Sequence, residues 1–152
     1  MMPVILRERF SIHFCIVKFF TMNTLFQTNQ SRLVLYLNEN EHWLKTIITQ
    51  ESEIPVLEKM LVDNEAMITD DESIGAKVHF SKELELHHQQ MKQLNTELGI
   101  QQQRLEKDAA QQSLYDINAL CSQDILRDRI KDVEKKYIEL KCNFMKFLSG
   151  VI

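Results

Sequence analysis

Glycine occurs three times and proline twice in 152 residues, where average usage gives roughly 11 and 8. Hairpins and phosphate-cradling loops are built from those two residue types. Their scarcity argues against sandwiches, small barrels and dinucleotide-binding α/β folds. Cysteine is also sparse: Cys15, Cys121 and Cys142 form an odd set without C-x-x-C spacing. That is neither a disulfide framework nor a zinc site, and it points to a reducing, cytoplasmic setting. No uninterrupted apolar run approaches the ~20 residues of a membrane span.

Catalytic signatures are missing too. G-x-G-x-x-G, G-x-x-x-x-G-K-S/T and G-x-S-x-G do not occur, so neither phosphate binding nor acyl transfer has a candidate loop. The net charge of -4 disfavours nucleic acid and anionic membrane as main partners. What is present is core material, 44% hydrophobic against 26% charged residues, too rich for a disordered chain. The composition describes a mostly helical, non-enzymatic protein.

Residues 1–21 stand apart. Arg7, Arg9 and Lys18 against Glu8 give this segment a local charge of +2, leaving -6 on the remaining 131 residues. Its aromatic-rich stretch from Phe10 to Phe20 is interrupted by His13 and Lys18 and has no small-residue cleavage site after it. Three readings stay open: a signal peptide, an ordinary element added to the bundle, or an extension upstream of a true start at Met22, untranslated or disordered. The last is preferred. Residues 22–152 are read as a single helical domain.

Three stretches carry helical periodicity. From about Gln30 to Asp63, Leu33, Leu37, Leu44, Ile47, Ile54 and Leu61 form a stripe, with Asn40 and Glu51 at its two vacant positions. Tyr36, Trp43, Ile48 and Leu57 widen it. Pro55 removes a backbone donor opposite Glu51, so a kink is expected near residues 51–55. The run DNEAMITDDESIG, residues 63–75, loses the period and reads as a connection, with Asp70, Asp71 and Ser73 as alternative N-caps.

From about Ile74 to Asp108, Phe80, Leu84, His87, Met91, Leu94, Leu98, Gln101 and Leu105 alternate in steps of four and three. This is a coiled-coil seam with two polar members. The third stretch resumes at Leu114, Ile117, Leu120 and Cys121. It slips in phase near 121–126, either as a stutter or as the second turn. It then locks through Leu126, Ile130, Val133, Tyr137, Leu140, Phe144 and Phe147 to a stop at Gly150. Comparable lengths and short connections predict an all-α fold, an elongated antiparallel three-helix bundle or coiled coil. A helical hairpin that assembles into a four- or six-helix oligomer is its competitor.

Candidate site residues are few. Glu39 with His42, and Glu85 with His88, give two E-x-x-H spacings of the kind used in dinuclear metal bundles. On a helical wheel His42 points about 170° from the centre of its apolar stripe, and Glu85 and His88 about 140° and 80° from theirs. Ligands in such bundles point inward, so solvated side chains are the preferred reading, with no metal, cofactor or catalytic residue assigned. The acidic triplet Asp70–Glu72 is read as an N-cap cluster rather than a cation site. Trp43, Tyr137, Phe144 and Phe147 read as core. His87 occupies a seam position, where a polar residue fixes register and an imidazole also responds to pH.

Three patches resemble a loose group of small, uncharacterised, all-helical bacterial proteins. They are Glu39-Asn40-Glu41-His42-Trp43-Leu44, His79-Phe80, and Arg127-Asp128-Arg129-Ile130 leading to Phe144-Met145-Lys146-Phe147-Leu148. The resemblance spans residues 30–148 and implies a helical fold. It carries no activity, cofactor or site residue. The functional expectation is therefore a helical interaction or structural module that self-associates or binds a helical partner. The alternative is a bundle that binds a metal or small ligand.

Overall fold

The structure is a computed structural model that describes the backbone of residues 4–111 and 117–151, and the side chains of residues 27–111 and 120–151. It is an all-α three-helix bundle. Helix α1 spans Val4–Asp63, α2 spans Asp71–Gln111 and α3 spans Ile117–Val151, with a single 3-10 turn at Glu65–Met67. No strand occurs among the described residues, and none of their helices is long and apolar enough to cross a membrane.

The first connection is shorter than its sequence pattern suggests. Helix α1 closes with Asn64, whose backbone N–H and side-chain Nδ2 both donate to the carbonyl of Met60. Buried Ile68 anchors the segment. Of the three possible N-caps, Asp70 is the one used: its Oδ1 accepts from the backbone N–H of Ser73 at 2.8 Å, and its carbonyl accepts from Ile74. Helix α2 therefore begins at Asp71, three residues before the apolar period becomes visible. The Asp70 carboxyl is held below its ordinary range by hydrogen bonds from Ser73.

The eight seam positions read from the sequence in α2 are its eight buried residues, from Phe80 to Leu105. Leu84, Met91, Leu98 and Leu105 are fully enclosed, each contributing about 1.5–3 kcal/mol of transfer free energy. The first three belong to two apolar clusters. One joins Trp43 and Ile47 of α1 to Met91, Leu94 and Leu98 of α2 and to Leu126, Ile130 and Val133 of α3. The other joins Ile54, Leu57 and Leu61 to Phe80 and Leu84 and to Tyr137, Phe144 and Leu148. Residue numbers rise along α1 and α3 and fall along α2 from one cluster to the next, so α2 is antiparallel to both neighbours while α1 and α3 run in the same direction.

Helix α1 corrects the sequence reading in two ways. Its helical backbone starts at Val4, upstream of the stretch recognised by period; the side chains of residues 1–21 lie outside the described residues. Its seam is also rotated. The buried positions are Leu33, Asn40, Trp43, Ile47, Gln50, Ile54, Leu57 and Leu61, so Trp43, Gln50 and Leu57 replace Leu44, Glu51 and the following turn. Leu37, Leu44 and Glu51 are half-buried on the flank and Ile48 is exposed. The wide stripe left two rows competing for the centre, and contact with two neighbours selected the row between them. Pro55 lies exposed within α1, and the helix runs through it.

In α3 the apparent slip is an intrahelical feature, not the turn. Gln123 is fully buried and stands three residues before Leu126, so the seam continues upstream on a polar side chain. Helix α3 is already under way at Ile117, upstream of the slip, and residues 112–116 lie outside the described residues. At the other end of α3, Leu148 is buried and Phe147 half-buried.

Candidate functional site

Two polar layers interrupt the apolar seams, and each draws residues from all three helices. The first lies beyond the Trp43 cluster. Gln101 Nε2 donates to Gln123 Oε1 at 3.3 Å, and Gln123 Nε2 donates to Asn40 Oδ1 at 2.9 Å and to Glu39 Oε2 at 3.2 Å. Gln123 thus uses both amide protons and its carbonyl at the centre of the bundle. Asn40 Nδ2 is buried with no hydrogen-bond partner, which costs about 1–3 kcal/mol. At the rim Arg127 closes a bidentate pair on Glu39, with Nη2 at 2.7 Å and Nε at 3.2 Å. It also donates to Asp124 and lies over the Tyr36 ring at 5.9 Å. The hydrogen bonds to Glu39 raise the Arg127 pKa further above the ordinary arginine range.

The second layer lies where the two apolar clusters meet: Gln50 and His87, with Tyr137 of the second cluster against them, all buried. The His87 and Tyr137 rings stack at 5.1 Å with an interplanar angle of 17°. The Tyr137 hydroxyl donates to Glu53 Oε2, which also accepts from Lys141 Nζ at 2.7 Å. These two donors, Lys141 first, hold the Glu53 carboxyl below its ordinary range. Burial, then the bond to Glu53, pushes the Tyr137 hydroxyl up. Neither Gln50 Oε1 nor His87 Nε2 has a hydrogen-bond partner.

The E-x-x-H residues do not converge. Glu39 is half-buried and taken up by Gln123 and Arg127. His42 is exposed on α1. Glu85 is exposed and accepts from Gln89 one turn on, and His88 is half-buried on the flank of α2. Among the described residues no group of three or more His, Cys, Asp or Glu is placed to hold a metal ion. His87 does sit in the seam as its spacing predicts. Gln50, Glu53 and Gln123 are not singled out by sequence reasoning, and Arg127 is named only within a resemblance patch, without a role. Gln50 and Gln123 had a readable signal, since each fills a heptad step between apolar neighbours. The pairing of Glu53 and Arg127 with another helix had none.

Two open grooves flank the second layer. Between α1 and α3 a groove of about 620 Å³ is lined by Thr46, Thr49 and Gln50 on one wall and by Ile138, Cys142 and Met145 on the other. Ile138 is 66% exposed and Met145 43%. They stand one heptad apart, so α3 presents an uncovered apolar ridge with the exposed thiol of Cys142 between them. Between α2 and α3 a more polar groove of about 450 Å³ carries Glu83, His87, Lys136 and Glu139. Comparison with protein-family models, with curated proteins and with solved structures finds no match.

Proposed function

We propose that the chain is a non-enzymatic helical interaction module that self-associates, or binds another helical protein, through the groove between α1 and α3. The observation that carries this reading is the apolar ridge of Ile138 and Met145 at heptad spacing. Its spacing is that of a seam, which a further amphipathic helix covers by the same knobs-into-holes packing used inside the bundle. The acidic balance and sparse cysteines agree with a cytoplasmic setting, without nucleic acid or membrane as partner.

Cys142 reports directly on occupancy. In dilute native protein its thiol should react at a rate near that of a free peptide thiol. In the associated state the same thiol should be protected, and Ile138→Glu with Met145→Glu should abolish both protection and association. A chain that stays monomeric across the accessible concentration range and captures no helical partner would overturn the reading, as would stoichiometric metal in protein purified without a histidine tag.

A further inference from the structure

Of the four histidines with described side chains, His87 alone is buried, at 4% exposure. It lies between Leu84 and Met91, both fully enclosed, at the boundary between the two apolar clusters. Its Nε2 has no partner, and one face of its ring is covered by Tyr137. The surroundings suit a neutral imidazole. Burial disfavours its charged form, and Lys136 of α3 adds like-charge repulsion; together they hold its pKa below 6.5.

The groups facing it divide by element. From α1 come the neutral Gln50 and the Glu53 carboxylate, the latter behind Tyr137 and already occupied by Tyr137 and Lys141. From α2 come Glu83 one turn earlier and His79 two turns earlier. From α3 come Lys136 and Glu139. Among the described residues no carboxylate meets the ring inside the seam. Glu83 and Glu139 line the open groove toward which His87 faces, on the side away from the core.

We propose that His87 is an acid-operated latch: protonation drives its ring out of the seam toward Glu83 and Glu139, and loosens α3 beyond Tyr137 from α2. The neutral ring fills the gap between the two apolar clusters and supports the Tyr137 stack. The imidazolium has no acceptor there and a cation beside it, whereas the groove offers water and two carboxylates. Departure of the ring uncovers the packing of Tyr137 and, with it, the Phe144 and Leu148 end of the second cluster.

Well above pH 6.5 the imidazole is neutral folded or unfolded, and the layer is intact. As the pH falls below 6.5 the unfolded chain takes up a proton that the closed bundle resists, so stability drops until the folded-state pKa is reached and then levels off. The test uses the full chain, with His87→Gln as a non-titrating polar replacement and His87→Leu as an apolar one. Thermal melting and amide hydrogen exchange are compared at about pH 8 and about pH 5.5. Wild type should lose several degrees more than either variant on acidification. Its exchange, corrected for the intrinsic rate, should rise several-fold in residues 137–151 only in the wild type. An equal acid response in wild type and His87→Gln overturns the latch. If neither variant folds, the ring resonances of His87 in the native chain decide. A ring titrating at or above the ordinary histidine value, with unchanged exchange in α3, overturns it equally.

Discussion

Gln123 shows how a single polar side chain in an apolar seam acts on its neighbours. It is fully buried and satisfies Gln101, Asn40 and Glu39 at once. Removing it takes one acceptor from Gln101 Nε2 and the donor from Asn40 Oδ1, in a place water does not reach. Gln123→Ala should therefore lower stability by about 1–3 kcal/mol in urea denaturation, more than loss of a surface glutamine. Gln123→Leu adds apolar volume yet still strands Asn40 Oδ1, so it should recover only part of that loss. A wild-type midpoint for Gln123→Ala would show that the layer is not held by these bonds.

Among the elements, α2 was the most legible from sequence, and it contains a glycine that its heptad does not require. Gly99 lies inside the helix, next to the enclosed Leu98, with open space around the position a Cβ would take. Neither close helix approach nor crowding demands it, and the backbone freedom it gives the unfolded chain opposes folding. Gly99→Ala should raise stability by about 0.5–1 kcal/mol, seen as a higher melting midpoint with unchanged helicity. A lower midpoint would mean that this face of α2 is closed against something outside the chain.

At the scale of the whole molecule, the alignment of α1 with α3 is written in ion pairs. Glu39 with Arg127 and Glu53 with Lys141 are both separated by 88 positions. A constant offset is what two helices running in the same direction produce. Arg127→Glu places two carboxylates together beside the first polar layer and should cost about 1–2 kcal/mol. The exchange Glu39→Arg with Arg127→Glu should restore part of it in a double-mutant cycle. Simple additivity would mean that the pair does not set the register. The same offset, and the antiparallel register of α2, place the described ends of both neighbours near the level of Asn29 and Gln30 on α1. A chain beginning at Met22 should accordingly match the full chain in melting midpoint. A drop of several degrees would show that the upstream part of α1 packs on the bundle.

The sequence by itself determined the helical class, the all-or-nothing seam of α2 and the position of His87, because an amphipathic helix with one narrow apolar row can be buried in only one rotation. It also contained the helix start at Asp70, as one of three capping side chains of similar chemistry. Tertiary structure chose among them, and it decided everything that depends on having two neighbours at once. In α1 a broad apolar stripe permits more than one rotation, and contact with both α2 and α3 selects the row of Trp43, Gln50 and Leu57 over that of Leu44 and Glu51. In α3 the seam appeared broken because Gln123 is polar; it is buried only because Gln101 and Asn40 arrive from the other helices to receive it. The pairings of Arg127 with Glu39 and of Tyr137 with Glu53 join residues more than 80 positions apart, and no local period records them. Periodicity reports which face of one helix avoids water, while the partners of a buried polar group are fixed only when three such faces close on one another.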